Sequence, residues 1–299
     1  MTALDPFDTP ERRTLRDTAR RFAEREIVPY LADWERSGEI PREIHRKAGA
    51  IDLLGVGFPE KVGGSGGDYV DVAVLNEAFL EAGASTGVIA ALFTHGIAIP
   101  HLVAAGDPGQ LDRWVRPALT GDLIGSLAVT EPDCGSDVAA LRTTARRAGG
   151  HYLVNGAKTF ITSGVRADFV TAAVRTGGPG RSGISLLVIE KGTPGFTVSR
   201  KLDKMGWLCS DTAELSFSDC RVPAANLIGT ENTGFAQLAQ QFVGERLGLA
   251  VGAYATAQRC LDLTLGHVRQ RQTFGRPLIS RQVVRHKLVA MRQRIELVR

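Results

Sequence analysis

The hydrophobic period of this chain changes twice, and that ordering is its tightest constraint. Up to about residue 122 apolar residues recur at helical spacing; from Leu141 to Pro223 they alternate with polar ones; after Gly234 the helical period returns. Thr9 is placed to cap a helix opening at Pro10, in which Leu15, Ala19, Phe22 and Ala23 share a face until Pro29 stops the run. Ile40 to Val56 predicts a second helix, and VDVAVLNEAFLEA after Tyr69 a long third. Gly87 to Gly106 is so nearly all apolar that it predicts a helix buried at the centre of a bundle.

The alternating runs are TTARRAG, HYLVNGAKTFIT, DFVTAAVRT, ISLLVIEKG, FTVSRKL and TAELSFSDCRVP, several of them separated by Gly-rich turns. Short strands punctuated in this way point to a small antiparallel barrel or sandwich rather than to βαβ units. Helix is expected again from Phe235 to about Arg269 and from Arg281 to the end. The expected fold class is α+β: an N-terminal helical domain over residues 1–122, a middle β-domain over 123–232 and a C-terminal helical bundle over 233–299. Because the chain closes on IELVR without a cap, Gly or Pro, that last domain is expected to be truncated.

Composition removes several classes of function. The 299 residues are 43% hydrophobic and 23% charged, an ordinary globular balance. The net charge of +4 is spread without a dense basic run, which argues against a nucleic-acid partner. Cys134, Cys209, Cys220 and Cys260 lie far apart with no CxxC spacing, so neither a metal framework nor a disulfide set is expected. No apolar run approaches membrane-spanning length and the N-terminus has no apolar signal core, so the expectation is a cytoplasmic protein with no membrane partner.

Two glycine-rich motifs are read as turns. GPGRSG, with Gly178, Gly180 and Gly183, has the GxGxxG spacing, but a strand-like ISLLVIE follows it where a dinucleotide fold needs a helix. VGGSGG, residues 62–67, lacks the GK[ST] ending of a phosphate loop. LAVTEPDCGSDVAALRT, residues 127–143, is more informative. Its Gly135–Ser136 pair lets backbone N–H groups approach a phosphate, and Thr130 can hydrogen-bond a planar heterocycle. Taken alone, the same stretch also reads as a turn at a domain boundary.

The stretch resembles the VTEP–GSD signature of the acyl-CoA dehydrogenase family. NGAKTFITSG, KMGWLCSDTAELSFSDCRVPAANLIG, ERLGLAVGAYATAQRCLD, RQRQTFGRPLISRQ and PEKVGGSGG are similar to further blocks of that family, in the same order. The resemblance implies FAD as cofactor, an acyl-CoA thioester as substrate and an oxidoreductase of fatty acid metabolism. It further implies electrons passed to an electron-transfer flavoprotein, and a homo-oligomer, dimer or tetramer.

Residue by residue, the resemblance sets Leu127, Val129 and Thr130 along the flavin ring, and Gly135 and Ser136 at the pyrophosphate and the CoA arm. Phe160 takes the place of an aromatic over the flavin, and Thr162 that of a Thr near its reactive nitrogen. Arg271, Thr273, Phe274 and Gln282 match residues that reach the FAD of a neighbouring subunit, although RQRQTFG alone reads as a solvated helix end. Glu245 matches the catalytic base of one subset of the family, and Phe242 and Arg246 its substrate site. Most other members carry the base in a segment later than residue 299.

On physical grounds Glu245 shares a helix stripe with Phe242 and Leu249, where a carboxylate is costly unless paired or functional. A Glu paired with a nearby Arg is the bland reading of the same residue. His95 reads as a satisfied core histidine, and Trp207 and Ser210 as packing residues. Two other readings stand beside the dehydrogenase: an oxidase-type flavoenzyme that uses oxygen, and a non-catalytic or partner-requiring subunit.

Overall fold

The computed structural model describes residues 7–299, so the first six residues of the expected N-terminal domain lie outside it. Contacts divide the chain into two compact units. One comprises the residues up to Pro29, Tyr69–Thr86 and Arg246–Arg299; the other comprises Tyr30–Asp68 and Gly87–Glu245.

In the first unit, α1 (Pro10–Glu26) is capped by Thr9, whose hydroxyl accepts from Arg12 N at 3.3 Å. It packs on α4 (Tyr69–Ala82) through Phe22 and Phe79, both buried. Glu77 of α4, almost buried, accepts from Tyr254 Oη at 2.8 Å and pairs with Arg16 at 2.5 Å. The later helices are α10 (Gly234–Gln270), whose residues from 246 onward belong here, and α11 (Gln282–Val298). Leu261, Val268, Leu288 and Ile295 form their shared core.

The second unit holds the sheet. Its strands are β1 (Gly125–Ala128), β2 (Thr144–Ala148), β3 (His151–Thr162), β4 (Phe169–Arg175), β5 (Ile184–Glu190), β6 (Phe196–Lys201) and β7 (Thr212–Pro223). They pair in the order β1-β4-β2-β3-β7-β6, with β5 on β4. Most pairs are antiparallel, whereas β1 runs parallel to β4 and β2 touches β4 in parallel register. GPGRSG joins β4 to β5 as an antiparallel connection.

β5 is apolar almost throughout because both of its faces are covered. Ile184, Leu186 and Val188 enter a core with Ile99, Leu102 and Trp114 from the helices, while Leu187 and Ile189 enter a second with Tyr152, Leu215 and Phe217. Those helices are α2 (Leu31–Ser37), α3 (Glu43–Gly49), α5 (Thr86–Leu92), α6 (His95–Ala98), α7 (Pro100–Ala105), α8 (Pro108–Gln110) and α9 (Arg116–Leu119), the last two joined by a π-helical turn. α10 opens hard against β5: a Cβ on Gly234 would stand 2.8 Å from the Ser185 carbonyl carbon.

Two helical expectations are corrected. The run expected from Ile40 to Val56 is helical only over α3, with a 3-10 turn at Leu53–Gly55, because Asp52 takes a left-handed backbone between them. The run from Gly87 to Gly106 is three short helices, since Pro100 starts a new one and cannot continue the old. Among the described residues no helix is long and apolar enough to cross a membrane. None of their His, Cys, Asp and Glu side chains are grouped to hold a metal ion.

Candidate active site

A cavity of about 470 Å³ opens in the sheet-bearing unit. Its wall begins on β1 and the turn after it, with Leu127, Val129, Thr130, Gly135, Ser136 and Val138; β3 contributes Phe160, Ile161 and Thr162. Ile97 from α6 and Phe242 and Glu245 from α10 complete it. Nine of the residues singled out in the sequence therefore meet in one place: Leu127, Val129, Thr130, Gly135, Ser136, Phe160, Thr162, Phe242 and Glu245.

The strand ends that carry them are tied down. Ser126 Oγ donates to the Thr162 carbonyl at 2.6 Å, Thr159 N donates to the Thr130 carbonyl at 2.9 Å, and the Thr130 hydroxyl donates back to the Thr159 carbonyl. Beyond β3, Ser163 N donates to the Asp211 carbonyl, and the Asp211 carboxylate takes Val165 N at 2.8 Å and pairs with Arg166 at 3.0 Å.

Phe160 is unusual in two respects. Its φ of 61° is left-handed, a conformation costly for an aromatic residue, and its side chain is 69% exposed at the cavity edge. Gly135 faces open space: a Cβ built on it would meet nothing within 4 Å.

Arg246, Arg271, Thr273, Phe274 and Gln282 belong to the other unit and do not line this cavity. Arg271, Thr273 and Phe274 lie in or beside a small hairpin of β8 (Gln272–Thr273) and β9 (Arg276–Pro277), and Gln282 opens α11. Phe274 sits at its tip, 96% exposed with φ 51°, under the Arg281 guanidinium 5.6 Å from the ring centre. Arg281 also donates to the Thr273 carbonyl at 2.8 Å.

Three further expectations were tested by burial. His95 is a core residue, its Nε2 2.8 Å from the Leu54 carbonyl, and desolvation drives its pKa down to about 4. Ser210 is fully buried and Trp207 is half exposed. Leu249 is also exposed, so the apolar stripe beside Glu245 is covered on the Phe242 side only, where Phe242 is partly buried. Sequence reasoning missed three lining residues, Ile97, Val138 and Ile161, each an apolar residue with nothing to mark it as a cavity residue.

The comparisons with known proteins agree with this architecture. Family models match residues 9–122 (acyl-CoA dehydrogenase, N-terminal domain), 126–220 (middle domain) and 232–299 (C-terminal domain). The chain belongs to the acyl-CoA dehydrogenase family. It is 39% identical over 284 residues to the long-chain specific acyl-CoA dehydrogenase, mitochondrial, of Rattus norvegicus, covering 94% of this chain. It spans 65% of the length of that curated relative.

Among solved structures it matches a Mycobacterium abscessus protein described as a probable acyl CoA dehydrogenase, 65% identical with a TM-score of 0.96, over 97% of this chain and 77% of that one. It also matches a glutaryl-CoA dehydrogenase of Mycobacterium smegmatis in complex with FADH2, 26% identical with a TM-score of 0.90, over 99% and 75% of the two chains.

Proposed function

We propose that this chain acts in an FAD-dependent acyl-CoA dehydrogenase, a cytoplasmic homo-oligomer that desaturates an acyl-CoA thioester between Cα and Cβ and passes electrons to an electron-transfer flavoprotein. One observation carries the reading: a carboxylate, an exposed aromatic face, three hydroxyls and a glycine cradle line a single cavity. Its volume lies in the range of ordinary cofactor and ligand sites.

The residues fit the cofactor. The open space beyond Gly135 suits the close approach of a phosphate to backbone N–H groups, and the exposed Phe160 ring offers a flat apolar face to a planar heterocycle. FAD, when bound, supplies the acceptor for the hydride that leaves Cβ.

The chain's own residues do the rest. Glu245 takes the α-proton onto its carboxylate. Leu127, Val129 and Ile97 present an apolar wall that excludes water, and Phe242 on α10 stands one helical turn before the base. Thr130, Ser136 and Thr162 supply hydrogen-bonding groups to hold cofactor and thioester in register. Arg271, Thr273, Phe274 and Gln282 are assigned to a second subunit's FAD, with Arg271 suited to a diphosphate, and Arg246 to the CoA arm.

The test is the visible spectrum of the purified chain before and after anaerobic addition of acyl-CoAs of several lengths. A flavin spectrum that bleaches supports the reading; a protein that FAD cannot reconstitute overturns it.

A further inference from the structure

Behind the cavity wall lies an ion pair that the proposed chemistry does not use. The Lys158 side chain has no exposure and that of Glu131 only 6%, and Nζ stands 2.8 Å from Oε1. Lys158 Nζ also donates to the Val129 carbonyl at 2.9 Å. Glu131 Oε1 takes Thr143 N at 2.9 Å, and Oε2 takes Arg142 N at 2.6 Å. Burial pushes the Glu131 carboxyl upward, but the Lys158 ammonium and the hydrogen bonds from Thr143 and Arg142 together hold it below its usual range.

Taking two charges out of water is expensive, and neutral or apolar pairs of similar size are often as stable, so folding stability alone is a weak reason for the pair. Its connections supply a better one. Through Lys158 it grips Val129, a wall residue, from the strand that carries Phe160 and Thr162. Through Glu131 it closes the chain on itself from residue 131 to residues 142 and 143. Gly135, Ser136 and Val138 all lie inside that closed loop and all line the cavity. The loop is drawn in further where Glu131 and Cys134 exchange backbone hydrogen bonds at 2.8 and 3.1 Å.

We propose that Lys158 and Glu131 are the positioning pair of the flavin site, fixing the Val129–Thr130 wall and the Gly135–Ser136 turn at the separation the cofactor requires. The proposal rests on the FAD reading above. Neither side chain lines the cavity, so the pair acts through the backbone it holds.

The experiment compares the chain with the double variant Lys158→Met/Glu131→Gln and with Glu131→Asp. The double variant removes both charges, and Gln keeps an acceptor for one of the two amides. Glu131→Asp keeps the charge but is one methylene too short to reach all of its partners. Three quantities are read: thermal midpoint without flavin, Kd for FAD from quenching of flavin fluorescence, and the visible band of bound FAD.

The expected result is a double variant that melts near the native midpoint yet binds FAD at least about tenfold more weakly, with a displaced band; Glu131→Asp shifts both in the same direction. Native Kd and spectrum in the variants that fold overturn the proposal, and Glu131→Asp decides alone if the double variant does not fold. An affinity that falls only as the folded fraction falls also overturns it. Failure of the unmodified chain to bind FAD sinks the FAD reading itself, an outcome separate from native-like variants.

Discussion

Ser126 on β1 donates its hydroxyl hydrogen to the carbonyl of Thr162, the last residue of β3, at 2.6 Å. The bond crosses between two strands that are not neighbours in the sheet order, and each strand carries cavity residues next to it: Leu127 on one, Ile161 and Thr162 on the other. Ser126 has no exposure, so water cannot replace the lost partner. Ser126→Ala is expected to cost about 1 kcal/mol, with a further penalty if the carbonyl is left unpaired. It should also weaken ligand binding. Urea unfolding measures the first and an FAD titration the second; a variant native in both refutes the link between this bond and the cavity.

Gly135 allows space and stability to be separated. A Cβ there meets no atom within 4 Å, and its φ is not in the left-handed region, so Gly135→Ala has no steric reason to disturb the fold. Its unfolding free energy should stay within about 0.5 kcal/mol of native. The added methyl stands where a phosphate would approach the backbone, so FAD or acyl-CoA affinity should fall at least about tenfold. Native affinity in a variant of native stability would remove Gly135 from the binding surface.

Glu245→Gln retains size and hydrogen-bonding capacity but no basicity. Turnover should drop by about 10²–10⁴-fold or more, the usual share of a positioned base, while FAD binding is unchanged. Stopped-flow bleaching of the flavin by acyl-CoA reads the flavin reduction that depends on removal of that proton. Undiminished bleaching would place the base on another residue.

The strands were the most legible part of the sequence. HYLVNGAKTFIT spells β3 because it alternates between turns rich in glycine, and its bounds, His151–Thr162, coincide with the motif. β1 escaped: four residues give too short a pattern, and its parallel partner β4 lies more than forty residues on, a distance periodicity does not report. The apolar run from Gly87 to Gly106 hid its breaks for a related reason, since a side chain facing a cavity and one facing a core look alike in a string of Ala, Ile and Leu. Ile97 was lost in that way.

Seven of the nine site residues converge because their motifs sit at strand ends and turns that one sheet gathers together; Phe242 and Glu245 come from α10. The pairing of Lys158 with Glu131 was unreadable. Each lies in a recognisable block, but nothing in either block says that a lysine without exposure points at the other.

Three histidines in the sheet-bearing unit make its stability depend on acidity. His45, His95 and His101 are each at most 5% exposed. Desolvation lowers all three below the ordinary value of 6.5: His45, beside the Arg166 charge, to about 3, and His95 and His101 to about 4. Between pH 6.5 and about 4 the unfolded chain binds protons that the folded chain does not. Stability is therefore full above pH 6.5 and is lost as the pH falls through that window, by up to about 1.4 kcal/mol per pH unit for each histidine.

His101 is the cleanest place to test this. Neither of its ring nitrogens has a hydrogen-bond partner among the described residues, so His101→Leu removes a titrating group without orphaning another. Urea unfolding at pH 7 and pH 5 should show the variant losing less stability between the two than the native chain does. Equal losses would mean that His101 takes up its proton without unfolding, and that the site is wetter than its burial implies.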